Sequence, residues 1–302
     1  MRRQILLILF GIITFCVGVC FVYLTYFRAS EQKSNSIALT QNSNNPNWGL
    51  LLSFENKDLT KIDKEDEKKL RVALNQIGAE INNSTKLGTF SKISNAQGNY
   101  YYALLSMISS LGFPGNCKLQ IQLFNIQGQP LKLISFNNGW RLFLDNVKVE
   151  IIPDIGREII VVQSQRGENG RDIAKQYYGL VNEDILLIRL ENSEGKLIPN
   201  RYYASNHTIG ITPPQRSEEQ WINSLKSTDI VELLDSLEFL GGDHQGDIVW
   251  VGGNHPKIKT EETKFIDKLR GNETVKSKIF EFANSDNKWL RDSANLVLNG
   301  ED

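Results

Sequence analysis

The chain has 302 residues, of which 40% are hydrophobic and 23% charged, and its formal net charge is -1. These proportions are ordinary for a globular protein and supply enough apolar residues for a sizeable core. Lysine and arginine form no dense block, so the clustered cations that neutralise nucleic-acid phosphates are missing and we expect no nucleic-acid partner.

The first predicted element is a transmembrane helix over residues 5–27, "ILLILFGIITFCVGVCFVYLTYF", which carries no charge. Its 23 residues, rising about 1.5 Å each, reach roughly 34 Å, enough for a bilayer core of about 30 Å. The alternative is a cleaved secretory signal, whose apolar region is shorter and ends in small residues, whereas this run ends in "YFRAS". We therefore predict an uncleaved signal-anchor over residues 1–28.

The residues around the anchor predict its orientation and its connection to the body. Arg2 and Arg3 precede the helix, which favours a cytoplasmic N-terminus and a soluble body outside the cytoplasm. Residues 29–49 are rich in serine, asparagine and glutamine, a composition that buries too little apolar surface to order itself. We predict a flexible linker there, and a single-pass membrane protein overall.

Residues 50–114 have apolar residues at helical spacing, and we predict a helical segment that packs on the following region. The first stripe is Leu70, Leu74, Ile77 and Ile81. The second, in "NYYYALLSMISSLGF", is Tyr101, Leu104, Leu105, Ile108 and Leu111.

From residue 115 to 213 the apolar period changes to two, which is typical of strands. The pattern is seen in "KLQIQLFN", "GWRLFLD" and "VKVEII", and the stretches "EIIVVQ", "KQYYGLV" and "DILLIRL" follow. Turn sequences separate them, and Asn138–Gly139 suits a tight hairpin. We predict an antiparallel β-sandwich or barrel-like sheet here, and an α+β fold for the whole chain.

Residues 214–302 return to a helical period. Ser217 and Gln220 have the spacing of a capping box, and Gly241–Gly242 ends an apolar stripe. The turn "NSDN" (284–287) followed by "KWLRDSANLVL" resembles the inner helix of a HEAT or armadillo-like repeat, and "WINSLKSTDIVELLDSLEFLGG" resembles an earlier copy. The resemblance implies helical hairpins of a kind used for binding rather than catalysis.

One polar stretch between those helices offers candidate metal ligands. "FLGGDHQGDIVWVGGNHPKIK" (239–259) contains Asp243, His244, Asp247 and His255, which could converge in a hairpin. However, the HxH, HxxxH and HExxH spacings are absent, and a turn before Pro256 explains the nearby glycines. We predict a surface loop, and no cofactor.

Catalytic motifs are missing elsewhere in the sequence. No GxSxG, SxxK, GxGxxG or GxxxxGK[ST] pattern occurs, and Cys117 is the single cysteine outside the apolar run. We expect a membrane-anchored extracytoplasmic binding or scaffold protein without catalytic activity, whose partner is a protein. The alternatives are a metal-dependent hydrolase that uses the 243–255 loop, and a structural module that packs beside another membrane protein through its helix.

Overall fold

The structure is a computed structural model that describes residues 45–109, 117–137, 142–166, 172–199, 215–242 and 261–299. Contacts within the chain group it into two units, Met1–Gly49 and Leu50–Asp302, and the fold described below is that of the second. The fold is α+β, as the sequence predicts, with two antiparallel four-stranded sheets and helices before and after them.

The strands form two meanders, in which neighbours along the chain are also neighbours in the sheet. Sheet A has the order β1-β2-β3-β4 and sheet B the order β5-β6-β7-β8, with all pairs antiparallel. The strands are β1 (Thr85–Ser94), β2 (Tyr100–Ser109), β3 (Cys117–Phe124), β4 (Pro130–Asn137), β5 (Leu142–Ile152), β6 (Arg157–Arg166), β7 (Asp172–Val181) and β8 (Asp184–Asn192). The predicted antiparallel arrangement is confirmed.

One turn sequence, Asn-x-x-Gly-x, reverses the chain at residues 95–99, 125–129 and 192–196. In each, the asparagine side-chain oxygen accepts hydrogen bonds from the backbone N–H groups two and four residues later, at 2.9–3.1 Å. The glycine has a φ of +75 to +80°, a conformation that side chains with a Cβ disfavour. The first two turns therefore fix the register of β1 with β2 and of β3 with β4, and the third folds the chain back beside the end of β8.

The helix predicted over "NYYYALLSMISSLGF" is wrong, because Tyr100–Ser109 forms strand β2. In the segment predicted to be helical, 50–114, the described helices end at Gln76, and the strands begin at Thr85 rather than at 115. The physical reason is that Ala103, Leu104 and Leu105 are all buried. A strand that is covered on both faces loses the alternation by which sequence reveals a half-exposed strand.

Two helices and a short turn precede β1. They are α1 (Pro46–Leu52), a 3-10 turn (Leu59–Lys61) and α2 (Lys64–Gln76). Asp63 caps α2 by accepting hydrogen bonds from the backbone N–H groups of Glu65 and Asp66. The 3-10 turn contacts β1, and the Glu80 backbone N–H donates to the Gln122 side chain of β3 at 3.4 Å. The stretch from the 3-10 turn to Glu80 therefore lies against sheet A.

The two sheets share one apolar cluster. Sheet A contributes Ile93, Ala103, Leu105, Met107, Leu119, Ile121 and Leu123, and sheet B contributes Val147, Ile160, Val162, Tyr178, Leu180, Ile185 and Leu187. Ser94 also donates to a Glu158 carboxylate oxygen across the two sheets, at 2.5 Å. The sheets are therefore stacked face to face.

The hairpin predicted at Asn138–Gly139 lies outside the described residues. The strands on either side of it, β4 and β5, belong to different sheets, so they do not pair as that prediction requires. The stretches "GWRLFLD" and "VKVEII" also fall largely in the single strand β5, which is irregular between Leu142 and Val147.

Five helices follow sheet B: α3 (Glu218–Ser224), α4 (Ile230–Gly241), α5 (Glu261–Gly271), α6 (Glu273–Ala283) and α7 (Lys288–Asn299). The predicted capping box of Ser217 and Gln220 is confirmed at the start of α3. Whether these helices form HEAT-like repeats stays a prediction.

The outer face of sheet B and the C-terminal helices form a second apolar cluster. Ile159, Val161, Tyr177 and Ile188 of the sheet join residues of all five helices, from Trp221 to Val297. Helix α4 lies centrally, in contact with β7, β8, α3, α5 and α7. The body therefore has helices on sheet B, sheet B on sheet A, and the N-terminal segment on the far face of sheet A.

The predicted anchor, residues 5–27, lies outside the described residues. Within the described ranges, no helix is both long enough and apolar enough to cross a membrane.

Candidate functional site

The predicted loop candidates, Asp243, His244, Asp247 and His255, also lie outside the described residues. The described chain stops at Gly242, just after α4, and resumes at Glu261, where α5 begins. Among the residues that the structure describes, no group of three or more histidine, cysteine, aspartate or glutamate side chains is placed to hold a metal ion. The metal site therefore stays a prediction.

The described residues line an open depression of about 630 Å³ between one end of sheet A and one end of sheet B, which we call the end cavity. Its lining consists of Asn95, Gln97, Asn99, Tyr101, Lys132, Asn182, Glu183 and Asp184. The volume lies within the range of about 300–1,000 Å³ that small-molecule sites occupy.

Two turns with defined geometry place most of this lining. The side-chain oxygen of Asn95 fixes the β1–β2 turn by accepting from Gln97 N–H and Asn99 N–H, at 3.1 and 3.0 Å. The β7–β8 turn is tight, since Val181 pairs with Asp184 and Asn182 adopts a φ of +54°. The polar side chains of both turns are therefore displayed on rigid hairpins rather than on long loops.

An ion pair connects the two sheets at this cavity. The Lys132 ammonium of β4 donates to a carboxylate oxygen of Asp184, at the start of β8. Both side chains are about half exposed, so the pair contributes little to the free energy of folding but holds a cation and an anion at the rim.

The remaining charge in the cavity is negative. Glu183 is exposed, and its side chain has no hydrogen bond or ion pair within the described part of the chain. Burial, and secondarily the Glu183 charge, raises the pKa of Tyr101 above its ordinary value. With Lys132 balanced by Asp184, the lining has one unbalanced negative charge, which disfavours an anionic ligand.

The lining is rich in groups that form hydrogen bonds. Four amides can donate and accept hydrogen bonds, two carboxylates accept, and Lys132 donates. None of these eight residues is a serine, cysteine or histidine, so the lining contains no hydroxyl or thiol nucleophile beside an imidazole base.

A buried acidic group lies on α4. Asp235 is 4% exposed, and its carboxylate accepts from the Arg216 guanidinium at 2.8 Å. Burial raises the pKa of Asp235 to about 7, although Arg216 opposes the shift. The guanidinium also lies 4.4 Å above the Trp221 ring, which stacks on Phe239 at 4.0 Å. These contacts are those of a packed interior.

A second buried polar network joins sheet B to α7. Arg189 donates to Glu191 at 2.6 Å and lies 4.6 Å from the Trp289 ring, while the Tyr177 hydroxyl donates to Glu191 at 2.8 Å. Burial, followed by the hydrogen bond to Glu191, raises the pKa of Tyr177 well above its ordinary value. Arg189 also reaches Asp292 of α7 at 3.4 Å, so the network orients α7 on the sheet.

The end cavity was not predicted from the sequence, because its residues come from three separate hairpins, β1–β2, β3–β4 and β7–β8. The repeated Asn-x-x-Gly-x sequence is a signal that locates one of those turns, but it does not reveal which turns meet in space.

Comparisons with protein-family models, with curated proteins and with solved structures found no match to this chain.

Proposed function

We propose that this chain is a single-pass membrane-anchored binding protein, with its soluble body outside the cytoplasm and no chemistry of its own. In this proposal, residues 5–27 hold the chain in the membrane and residues 29–49 connect it to the body. The end cavity binds a polar small molecule, or a polar group of a protein partner.

The observation that carries the binding proposal is the end cavity itself. It is open to solvent, since Gln97, Asn99 and Glu183 are exposed, and its polar groups come from both sheets. Gln97 and Glu183 have side chains without a hydrogen bond inside the described part of the chain. Their hydrogen-bonding groups are therefore available to a ligand.

The anchor is supported by the uncharged run of 23 residues and by the arginines before it. We expect the full chain, tagged at its C-terminus, to sediment with membranes and to resist alkaline carbonate extraction. Protease added outside the cytoplasm should digest the body, and mass spectrometry should find residues 5–27 in the mature chain. Recovery of a soluble chain that lacks its first thirty residues would contradict the anchor.

The cavity proposal is tested on the full chain, purified in mild detergent from the cells that make it. Native mass spectrometry should show a bound ligand or partner on the wild type. The double variant Gln97→Ala/Glu183→Ala should lose that species, because both substitutions remove ligand-facing polar groups. The matched control is Lys276→Ala on α6, where, among the described residues, the Lys276 side chain pairs with Glu273 at an exposed site. An identical bound species on all three chains, or none on any, would contradict the proposal.

The competing hypothesis is the metal-dependent hydrolase that uses Asp243, His244, Asp247 and His255. It predicts stoichiometric zinc or another divalent metal in the purified wild-type chain, and its loss from a His244→Ala/His255→Ala variant. Elemental mass spectrometry distinguishes the two proposals, because ours expects no metal bound in stoichiometric amount.

A further inference from the structure

We propose that the end cavity binds a neutral carbohydrate. This inference rests on the proposed function, and it names the class of ligand that the same cavity takes. Three properties of the lining support it: its hydrogen-bonding groups, its charge and its single aromatic ring.

The hydrogen-bonding groups match those of a sugar. A sugar hydroxyl both donates and accepts, and so does the amide of asparagine or glutamine. Gln97 and Asn99 are presented by the β1–β2 turn, and Asn182 by the facing β7–β8 turn. The Glu183 carboxylate can accept from two adjacent hydroxyls of one ring, and a hydrogen bond to a charged acceptor is the stronger kind.

The charge of the lining disfavours an anionic ligand, and it offers a cationic ligand one carboxylate that is unpaired among the described residues, that of Glu183. Lys132 is already paired with Asp184, so a phosphate or carboxylate ligand would meet Glu183 without a free cation to balance it. An amine would use Glu183 but would leave the donor groups of three amides without an acceptor. A neutral ligand with many hydroxyl groups uses the amides and the carboxylate together.

Tyr101 gives the cavity its apolar surface. Its ring is partly buried against the cluster between the two sheets, and it also lines the cavity. An aromatic ring that is rigidly held offers contact area to the C–H groups of a sugar at little cost in conformational entropy. Because the surrounding turn residues are exposed, the rest of a saccharide chain can extend into solvent.

The test is isothermal titration calorimetry on the full-length chain in a zwitterionic detergent, since glycoside detergents would compete for the cavity. The probes are cellotriose, maltotriose, chitotriose and mannotriose, with spermidine as the cation and inorganic phosphate as the anion. We expect saturable binding of at least one trisaccharide with a Kd below about 1 mM. That Kd should not change between low and high salt, because the ligand is neutral.

Two substitutions separate a sugar from an amine. Glu183→Gln keeps an acceptor oxygen but removes the charge, so it should weaken trisaccharide binding less than about tenfold, whereas it would abolish binding of spermidine. The double variant Gln97→Ala/Glu183→Ala should weaken trisaccharide binding more than tenfold, and Lys276→Ala should leave the Kd unchanged. Melting temperatures within a few degrees of the wild type show that the variants are folded.

The possible results have distinct meanings. Salt-sensitive binding of spermidine, or binding of phosphate alone, would overturn the carbohydrate assignment. If no trisaccharide binds although native mass spectrometry shows a cavity-dependent species, the carbohydrate class is wrong and the proposed function stands. If no probe binds and no such species exists, both proposals are wrong.

Discussion

Asp235 is a carboxyl group that the fold keeps away from water, and its titration should appear in the stability of the protein. Burial raises its pKa from 3.8 to about 7. Between those values the folded chain holds a proton on Asp235 that the unfolded chain releases, so the contribution of Asp235 to the free energy of unfolding falls as pH rises from about 4 to about 7.

We therefore predict that Asp235→Asn removes this contribution to the pH dependence. The asparagine can still accept a hydrogen bond from Arg216, but it does not ionise. Relative to the wild type, the variant should gain stability as pH rises from 5 to 8, by up to a few kcal/mol. Urea unfolding followed by circular dichroism at several pH values measures the difference.

The control for this prediction is Glu65→Gln, which changes an exposed carboxylate on α2. It should leave the pH profile of the wild type nearly unaltered. Parallel unfolding curves for Asp235→Asn and the wild type across the same pH range would show that the Asp235 carboxyl does not contribute in this way.

At the scale of the element, the contact between β7 and α4 depends on one glycine. A Cβ placed on Gly179 would lie 2.4 and 2.8 Å from the two methyl carbons of Val231, which is closer than carbon atoms approach in folded proteins. Gly179 does not need a positive φ, so the requirement for glycine here is one of space alone.

Gly179→Ala should therefore destabilise the fold by about 1–3 kcal/mol, because β7 and α4 must separate or repack. Val231→Ala removes both methyl groups that would clash with the new Cβ. The double variant should therefore be destabilised by less than the sum of the destabilisations of the two single variants. Unfolding midpoints in urea for the four members of the cycle measure this coupling.

Gly271→Ala is the matched control, because nothing lies within 4 Å of the added Cβ and the residue ends a helix. We expect its unfolding midpoint to stay close to that of the wild type. Strict additivity of Gly179→Ala and Val231→Ala would mean that the two elements already have room to move apart.

Sequence reasoning succeeded for the elements whose signals are local. The start of α3 is encoded by Ser217 and Gln220, and strand β5 by the alternation in "VKVEII". It failed for β2, because whether Leu104 is buried depends on the segment before β1, which packs on the far face of sheet A. No spacing within "YYYALLSMIS" carries that information.

At the scale of the whole molecule, sequence reasoning found the α+β class but not the division into two stacked sheets or the cavity between their ends. The end cavity depends on Lys132 and Asp184 meeting although they are 52 positions apart in the sequence. Such a pairing follows from the packing of one meander on the other. The anchor, in contrast, is a local property of residues 5–27, so its prediction rests on the sequence alone.

The outer face of sheet B is covered by residues that follow the strands in the sequence, since its apolar cluster includes residues from Trp221 to Val297. During synthesis the eight strands leave the ribosome before α3 to α7 do, and Ile159, Val161 and Ile188 are uncovered on that side until those helices pack. A premature stop codon before α3 should consequently yield a chain that proteases remove or that aggregates, because these strand residues then stay exposed.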